Sequence, residues 1–208
     1  MQPVLTPSAT HPTGGSTPSV SLSAHTRGAL LELARVALGV ATGRAQASAL
    51  GRALERAPID PTLGGVFVTL TTDGDLRGCM GNLGPDQPLR EAVLSSALSA
   101  ALDDPRFLPV AADELPEIRV EISVLGRPVR MTDPAAFQPG LDGVIVERGG
   151  RRGLLLPEVA TDWSWGSVQM FDAVCRKAGL PADAWRDPGT RLLSFRTARF
   201  GGPAIAMH

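Results

Sequence analysis

Asp73-Gly74 sits between two extended runs, and that arrangement leaves little choice of local fold. Val66-Phe67-Val68-Thr69-Leu70-Thr71 alternates in side-chain character, Thr72-Asp73-Gly74-Asp75 follows, and Leu76-Arg77-Gly78-Cys79-Met80-Gly81-Asn82-Leu83 returns. Asp-Gly between such runs is the signature of a two-residue β-hairpin turn. The second strand, or its end, then carries Arg77 and Cys79. Side chains two residues apart share a strand face, so guanidinium and thiol are expected about 7 Å apart on one side. A neighbouring cation favours thiolate, the reactive form of cysteine. Gly78 and Gly81 leave the backbone bare, with room for a ligand or a second chain. The plainer alternative is a small residue packed in the hairpin, since free cysteine is among the most buried residue types.

The 208 residues suffice for one domain, or a domain with a subdomain, and the 43% apolar fraction is ordinary for a globular protein. The net charge of −1 supplies no electrostatic reason to expect nucleic acid. Two cysteines, Cys79 and Cys175, are too few for a disulfide framework and read as reduced thiols of a cytoplasmic protein. No apolar run approaches the ~20 residues that span a membrane.

Residues 1–22, rich in Pro, Ser and Thr, read as a flexible tail without the charged region and apolar core of a signal peptide. Ser23 is placed to cap a helix whose apolar positions include Leu30, Leu33, Ala34, Ala37, Leu38 and Ala41, and a second helical piece covers 45–56. Asp86 and Pro88 suit the start of a helix carrying Leu89, Val93, Ala97, Ala100 and Ala101 on one face, stopped before Pro105. Its alanines and serines predict close packing on a sheet. Ile118 to Val124 alternates strictly, with Arg119, Glu121 and Ser123 on the polar face. Residues 142–156 form a hairpin around Arg148-Gly149-Gly150-Arg151-Arg152. The Trp163-Trp165 pair either floors a pocket or pins a loop, and a helix runs from Ser167 to Ala178 with Val168, Phe171, Val174, Cys175 and Ala178 inward. Cys175 is expected in the core. Arg191 to Phe200 is read as one closing strand, with 201–208 as a C-terminal tail.

The residue inventory narrows the chemistry. His11, His25 and His208 all lie near an end of the chain, so neither a Cys–His nucleophile pair nor a structural zinc site is expected. No phosphate loop or dinucleotide fingerprint is present. If the Ile118–Val124 strand lies near the hairpin, Glu121 shares a cleft with Arg77 and Cys79; the alternative is a merely solvated sheet face.

Taken together, Gly65-Val66-Phe67-Val68-Thr69-Leu70, Leu76-Arg77-Gly78-Cys79-Met80-Gly81, Asp104-Pro105-Arg106-Phe107, Glu121-Ile122-Ser123-Val124-Leu125, Leu154-Leu155-Leu156-Pro157 and Cys175-Arg176-Lys177-Ala178-Gly179-Leu180-Pro181 resemble the AMMECR family. The resemblance runs from about Ser23 to Phe200, so residues 23–200 are taken as the domain. It implies an α+β fold: an antiparallel β-sheet flanked by helices, with a smaller subdomain and a cleft between. In microbes such proteins form the A component of the AmmeMemoRadiSam system, which implies Memo-type and radical S-adenosylmethionine partners and a shared modification or redox pathway. It carries over no reaction and no cofactor. Its motif positions point to Cys79, Arg77 and Glu121 as candidate catalytic residues, with Gly78 and Gly81 as binding positions. The chain departs from many members at Glu158, where they carry glutamine, and at Met80, where they carry isoleucine. Glu158 therefore enters as a candidate binding carboxylate. Two functions are expected to compete: a cysteine-dependent enzyme or subunit, and a non-catalytic module for a partner protein or small ligand.

Overall fold

The computed structural model describes residues 17–58, 64–84 and 87–205. His11, His208, most of the expected N-terminal tail and the expected cap Asp86 lie outside these residues. The chain forms two compact units. One holds the described residues from Ser19 to Arg127 and from Thr197 onward; the other holds Thr17, Pro18 and Pro128–Arg196. Both mix helices with an antiparallel sheet, so the fold is α+β, as expected.

In the first unit, α1 (Ala24–Ala41) begins at Ser23, whose hydroxyl accepts from the Thr26 N–H at 3.0 Å. After α2 (Ala47–Arg56) come β1 (Gly65–Thr72), β2 (Asp75–Leu83), α3 (Leu89–Leu102) and β3 (Ile118–Leu125), and β8 (Thr197–Pro203) returns from the end of the chain. The sheet order is β2-β1-β3-β8, which makes β2 an edge strand. One face, built from Val66, Val68, Leu70, Val120, Ile122 and Val124, is buried under α1 and α3. Fully burying each such side chain stabilises the fold by about 1.5–3 kcal/mol. The run of small residues on α3 lets its backbone settle directly on the sheet: a Cβ at Gly78 would lie 2.2 Å from the Ala100 carbonyl oxygen.

The hairpin turn is as expected, with positive φ at both Asp73 (52°) and Gly74 (90°). One feature was not expected. The β1–β2 register shifts between Leu70 and Thr71, so Leu76 pairs with Thr71, Gly78 with Leu70, and Arg77 is the extra residue of a bulge. A two-residue turn without the bulge would pair Cys79 with Val68, on the core face. With it, Cys79 pairs with Thr69 on the outer face.

In the second unit, β4 (Val129–Arg130), β5 (Gly143–Arg148), β6 (Arg151–Leu155) and β7 (Arg191–Phe195) form a sheet of order β4-β7-β5-β6. Helices α4 (Glu158–Asp162) and α5 (Ser167–Lys177) precede β7. Met170, Phe171, Val174 and Cys175 of α5 are buried with Phe137, Val144 and Val146, while Val168, expected inward, is 48% exposed. Phe171 stacks obliquely between Phe137 and Trp185, 5.0 Å from each. Trp163 is exposed and stacks on Trp165, which packs on this core.

Three expected boundaries change. The single closing strand is two strands in two sheets, divided at Arg196, whose guanidinium bonds the buried carboxylate of Asp142 at 3.1 Å. The strand also continues into the expected C-terminal tail, where Gly201 and Gly202 pair with Glu121 and Val120 and Ala204 is buried. At the other end of the domain, Val20 and Leu22 pack against the first core, and Thr17 shares a 2.7 Å hydrogen bond with Ser194. Among the described residues no helix is long and apolar enough to cross a membrane.

Candidate functional site

Cross-strand register assembles a polar row on the outer face of the first sheet. Cys79 of β2 pairs with Thr69 of β1, Thr69 with Glu121 of β3, and Glu121 with Gly201 of β8. Cys79 is half-buried, and its sulfur shares a 3.2 Å hydrogen bond with the Thr69 hydroxyl. Glu121 is two strands away, which at normal strand spacing separates the backbones by about 10 Å. Its carboxylate meets Arg199 of β8 at 2.5 Å. Cys79 and Glu121 therefore share a sheet face, with Thr69 between them.

Arg77 does not join the thiol as expected. Its guanidinium makes a two-pronged ion pair with Glu114, at 2.7 and 2.9 Å, and lies 5.9 Å from the centre of the Phe107 ring. The hydrogen bonds to Glu114 raise the arginine's pKa, and they lower that of Glu114, helped by the Ala111 N–H. Arg77 thus ties the segment after α3 to the edge of β2. Because its side chain is 17% exposed and Glu114's 35%, Arg77→Met is expected to cost about 1–2 kcal/mol in chemical denaturation.

The charges nearest Cys79 act on its backbone. Asp104, whose side chain is 2% exposed, accepts from the Cys79 N–H at 2.8 Å. The same carboxylate takes three bonds from Arg106: from its backbone N–H at 3.1 Å, Nε at 2.9 Å and Nη2 at 2.7 Å. Arg106 also reaches the Cys79 carbonyl at 3.4 Å and lies 5.4 Å from the centre of the Phe107 ring. Arg106 first, then the Cys79 and Arg106 N–H groups, hold the Asp104 carboxyl far below the usual carboxylate range against the opposing cost of burial. Both outward backbone groups of an edge-strand residue are thereby occupied by side chains, which also protects the edge.

Packing within the unit gives each glycine a reason of its own. Gly78 is buried beneath α3, where a Cβ would meet Ala100. Gly81 is exposed, but a Cβ there would meet the Val66 carbonyl oxygen at 2.2 Å and the Phe67 ring at 2.5 Å. Both are required by packing inside this unit, whatever else they admit. Glu158 opens α4 in the second unit and is half-buried. Cys175 is fully buried, and burial pushes its thiol pKa up, so it is the inert cysteine. No group of three or more His, Cys, Asp or Glu among the described residues is arranged to hold a metal ion.

Asp104, Arg106, Thr69 and Arg199 were not singled out from the sequence. The signal for the first two was present in Asp104-Pro105-Arg106-Phe107, which reads as a helix stop. Thr69 was hidden by the bulge that sets its register with Cys79.

Fold and site define the class: an α+β protein with a hydrogen-bonded cysteine on the outer face of an antiparallel sheet, beside a side-chain clamp on the sheet edge. The chain belongs to the AMMECR1 family, whose model matches residues 31–200. A protein of Methanothermobacter thermautotrophicus is 49% identical over 142 residues, covering 65% of this chain and 74% of its own length. A protein of Methanocella arvoryzae is 42% identical over 154 residues, covering 68% and 78%. The crystal structure of the uncharacterized protein PH0010 from Pyrococcus horikoshii superposes with a TM-score of 0.71 at 35% identity, covering 88% of this chain and 95% of that one.

Proposed function

We propose that this AMMECR1-family chain is a cysteine-dependent enzyme or enzyme subunit of the cytoplasm, acting with Memo-type and radical S-adenosylmethionine partners in a modification or redox pathway. Cys79 is its nucleophile or redox thiol. The observation that supports this most is the sulfur's setting: half-buried on the outer face, bonded to Thr69, in a residue whose N–H and carbonyl are held by Asp104 and Arg106. A nucleophile gains from being held in one place before reaction. The Thr69 hydroxyl is suited to donate to a sulfur that has lost its proton. Glu121, oriented by Arg199, is the carboxylate assigned to proton transfer. Arg77 becomes a positioning residue acting through Glu114 and the segment that carries Asp104. Glu158, which opens α4, is assigned to ligand binding.

A second reading, a non-catalytic interaction or small-ligand module, is favoured by one observation: the side-chain hydrogen bonds of Arg77 and Arg106 go to carboxylates and backbone carbonyls and not to the thiol. Cys79→Ser separates the two. Introduced at the chromosomal locus, it is expected to give a folded protein, with Tm within a few degrees of wild type, and the phenotype of a full deletion. A wild-type phenotype would overturn the role given to the thiol.

A further inference from the structure

The segment after α3 covers the edge of β2 only as far as Cys79. Its contacts are Glu114 on Arg77 and Asp104 with Arg106 on Cys79. Outward backbone groups alternate along an edge strand. Cys79 turns its N–H and carbonyl outward, so Gly81, in regular register with Phe67, turns its own the same way, and Leu83 follows in phase. Among the described residues no hydrogen bond reaches the outward groups of Gly81.

Beside this bare edge lies a groove of about 190 Å³ between strand and helix. Met80, Gly81 and Asn82 line one side and Ser95, Ser96 and Ser99 of α3 the other, with no charged side chain among them. Asn82 faces α3, because it pairs with Val66 of the core face, and its amide oxygen is buried without a partner among the described residues. That oxygen has almost no exposed surface, so a donor in the groove meets it only when the Asn82 side chain turns outward, and the gain is the pairing of an acceptor otherwise left unsatisfied.

We infer that an extended polypeptide segment of another protein adds to the free edge of β2 at Gly81 and places a short hydroxyl- or amide-bearing side chain between Asn82 and the α3 serines. A backbone donor and acceptor beside a groove walled by a helix is the arrangement of strand addition: main-chain bonds supply affinity and the groove supplies side-chain preference. The absence of charge in the groove selects Ser, Thr or Asn over acidic or basic residues. The Asp104–Arg106 clamp blocks the edge at Cys79 and so sets where the added strand stops. This inference goes beyond the role assigned to Cys79 and stands without it.

The test is selection of random nonapeptides displayed on phage against the full-length protein, followed by affinity measurement on the synthetic winners. The expected winners share a Ser, Thr or Asn. N-methylation of the peptide residue opposite Gly81 weakens them at least tenfold, and binding shifts the Gly81 amide resonance. Ser95→Arg, at an exposed helix position that needs no refolding, weakens them at least tenfold, whereas Cys79→Ser leaves binding unchanged. Failure to enrich any peptide would overturn the inference. So would winners indifferent to both N-methylation and Ser95→Arg, or self-association of the free protein abolished by Ser95→Arg, which would make the occupant a second copy.

Discussion

Gly78→Ala lowers the melting temperature by about 10 °C. A single methyl group has this effect because it has nowhere to go. The built Cβ lies 2.2 Å from the Ala100 carbonyl oxygen and 3.2 Å from its carbon, both of them helix backbone rather than a side chain that can swing aside. Relief requires α3 to lift off β2, which loosens Ala97, Ala100 and Ala101 from the sheet. Overpacking of this kind costs about 3 kcal/mol, near the top of its usual range, and a chain of this length loses about 2–4 °C per kcal/mol. Gly51→Ala is the control. Gly51 lies inside α2 with nothing within 4 Å of an added Cβ, so alanine there is expected to stabilise by about 0.5–1 kcal/mol. Thermal melts of the two variants should move in opposite directions.

Asp104→Asn is the second large effect, and it depends on pH. The carboxylate is buried and accepts four hydrogen bonds, one from the Cys79 N–H and three from Arg106. Asparagine keeps the shape but sets an NH2 donor against a guanidinium donor and removes the charge. Arg106 is 54% exposed and recovers part of its hydration, so the expected cost at neutral pH is about 2–3 kcal/mol rather than the larger figure for a fully buried pair. The sign of the pH dependence follows from the depressed carboxyl in the folded state. An unfolded aspartate titrates near pH 3.9, at about the value of a free side chain. The stabilisation is therefore complete above that pH and is lost as pH falls below it toward the folded-state value. Urea titrations should show the wild-type advantage in full at pH 7 and reduced at pH 3. A gap of equal size at both would mean that the carboxylate's charge is not what holds the clamp.

Local pattern was sufficient to read most of the fold from the residues. The Asp73-Gly74 turn, the Ser23 cap, the alternation of 118–124 and the alanine-rich face of α3 each rest on short-range chemistry, and each stands in the structure. What escaped depended on register and on contacts far apart in sequence. The bulge at Arg77 changes which face Cys79 occupies, and no composition rule predicts it. Arg77 looked like the partner of Cys79 because it is two residues away, yet Glu114, 37 positions along the chain, lies closer to its guanidinium. Asp104 looked like a helix stop because Pro105 follows it, and it is also the anchor of the Cys79 backbone. Arg196 looked like the middle of one strand, because nothing in 191–200 shows that the chain passes between two sheets there.

Whether the outer-face sulfur is a working thiol can be measured by alkylating the native protein at pH 7.5 with iodoacetamide and following each cysteine by peptide mass spectrometry. The predicted result is modification of Cys79 at least a hundredfold faster than Cys175, slowed several-fold by Thr69→Ala and unchanged by Arg77→Gln. Cys79 reacting as slowly as the core cysteine would contradict it and leave the AMMECR1 fold without a reactive sulfur.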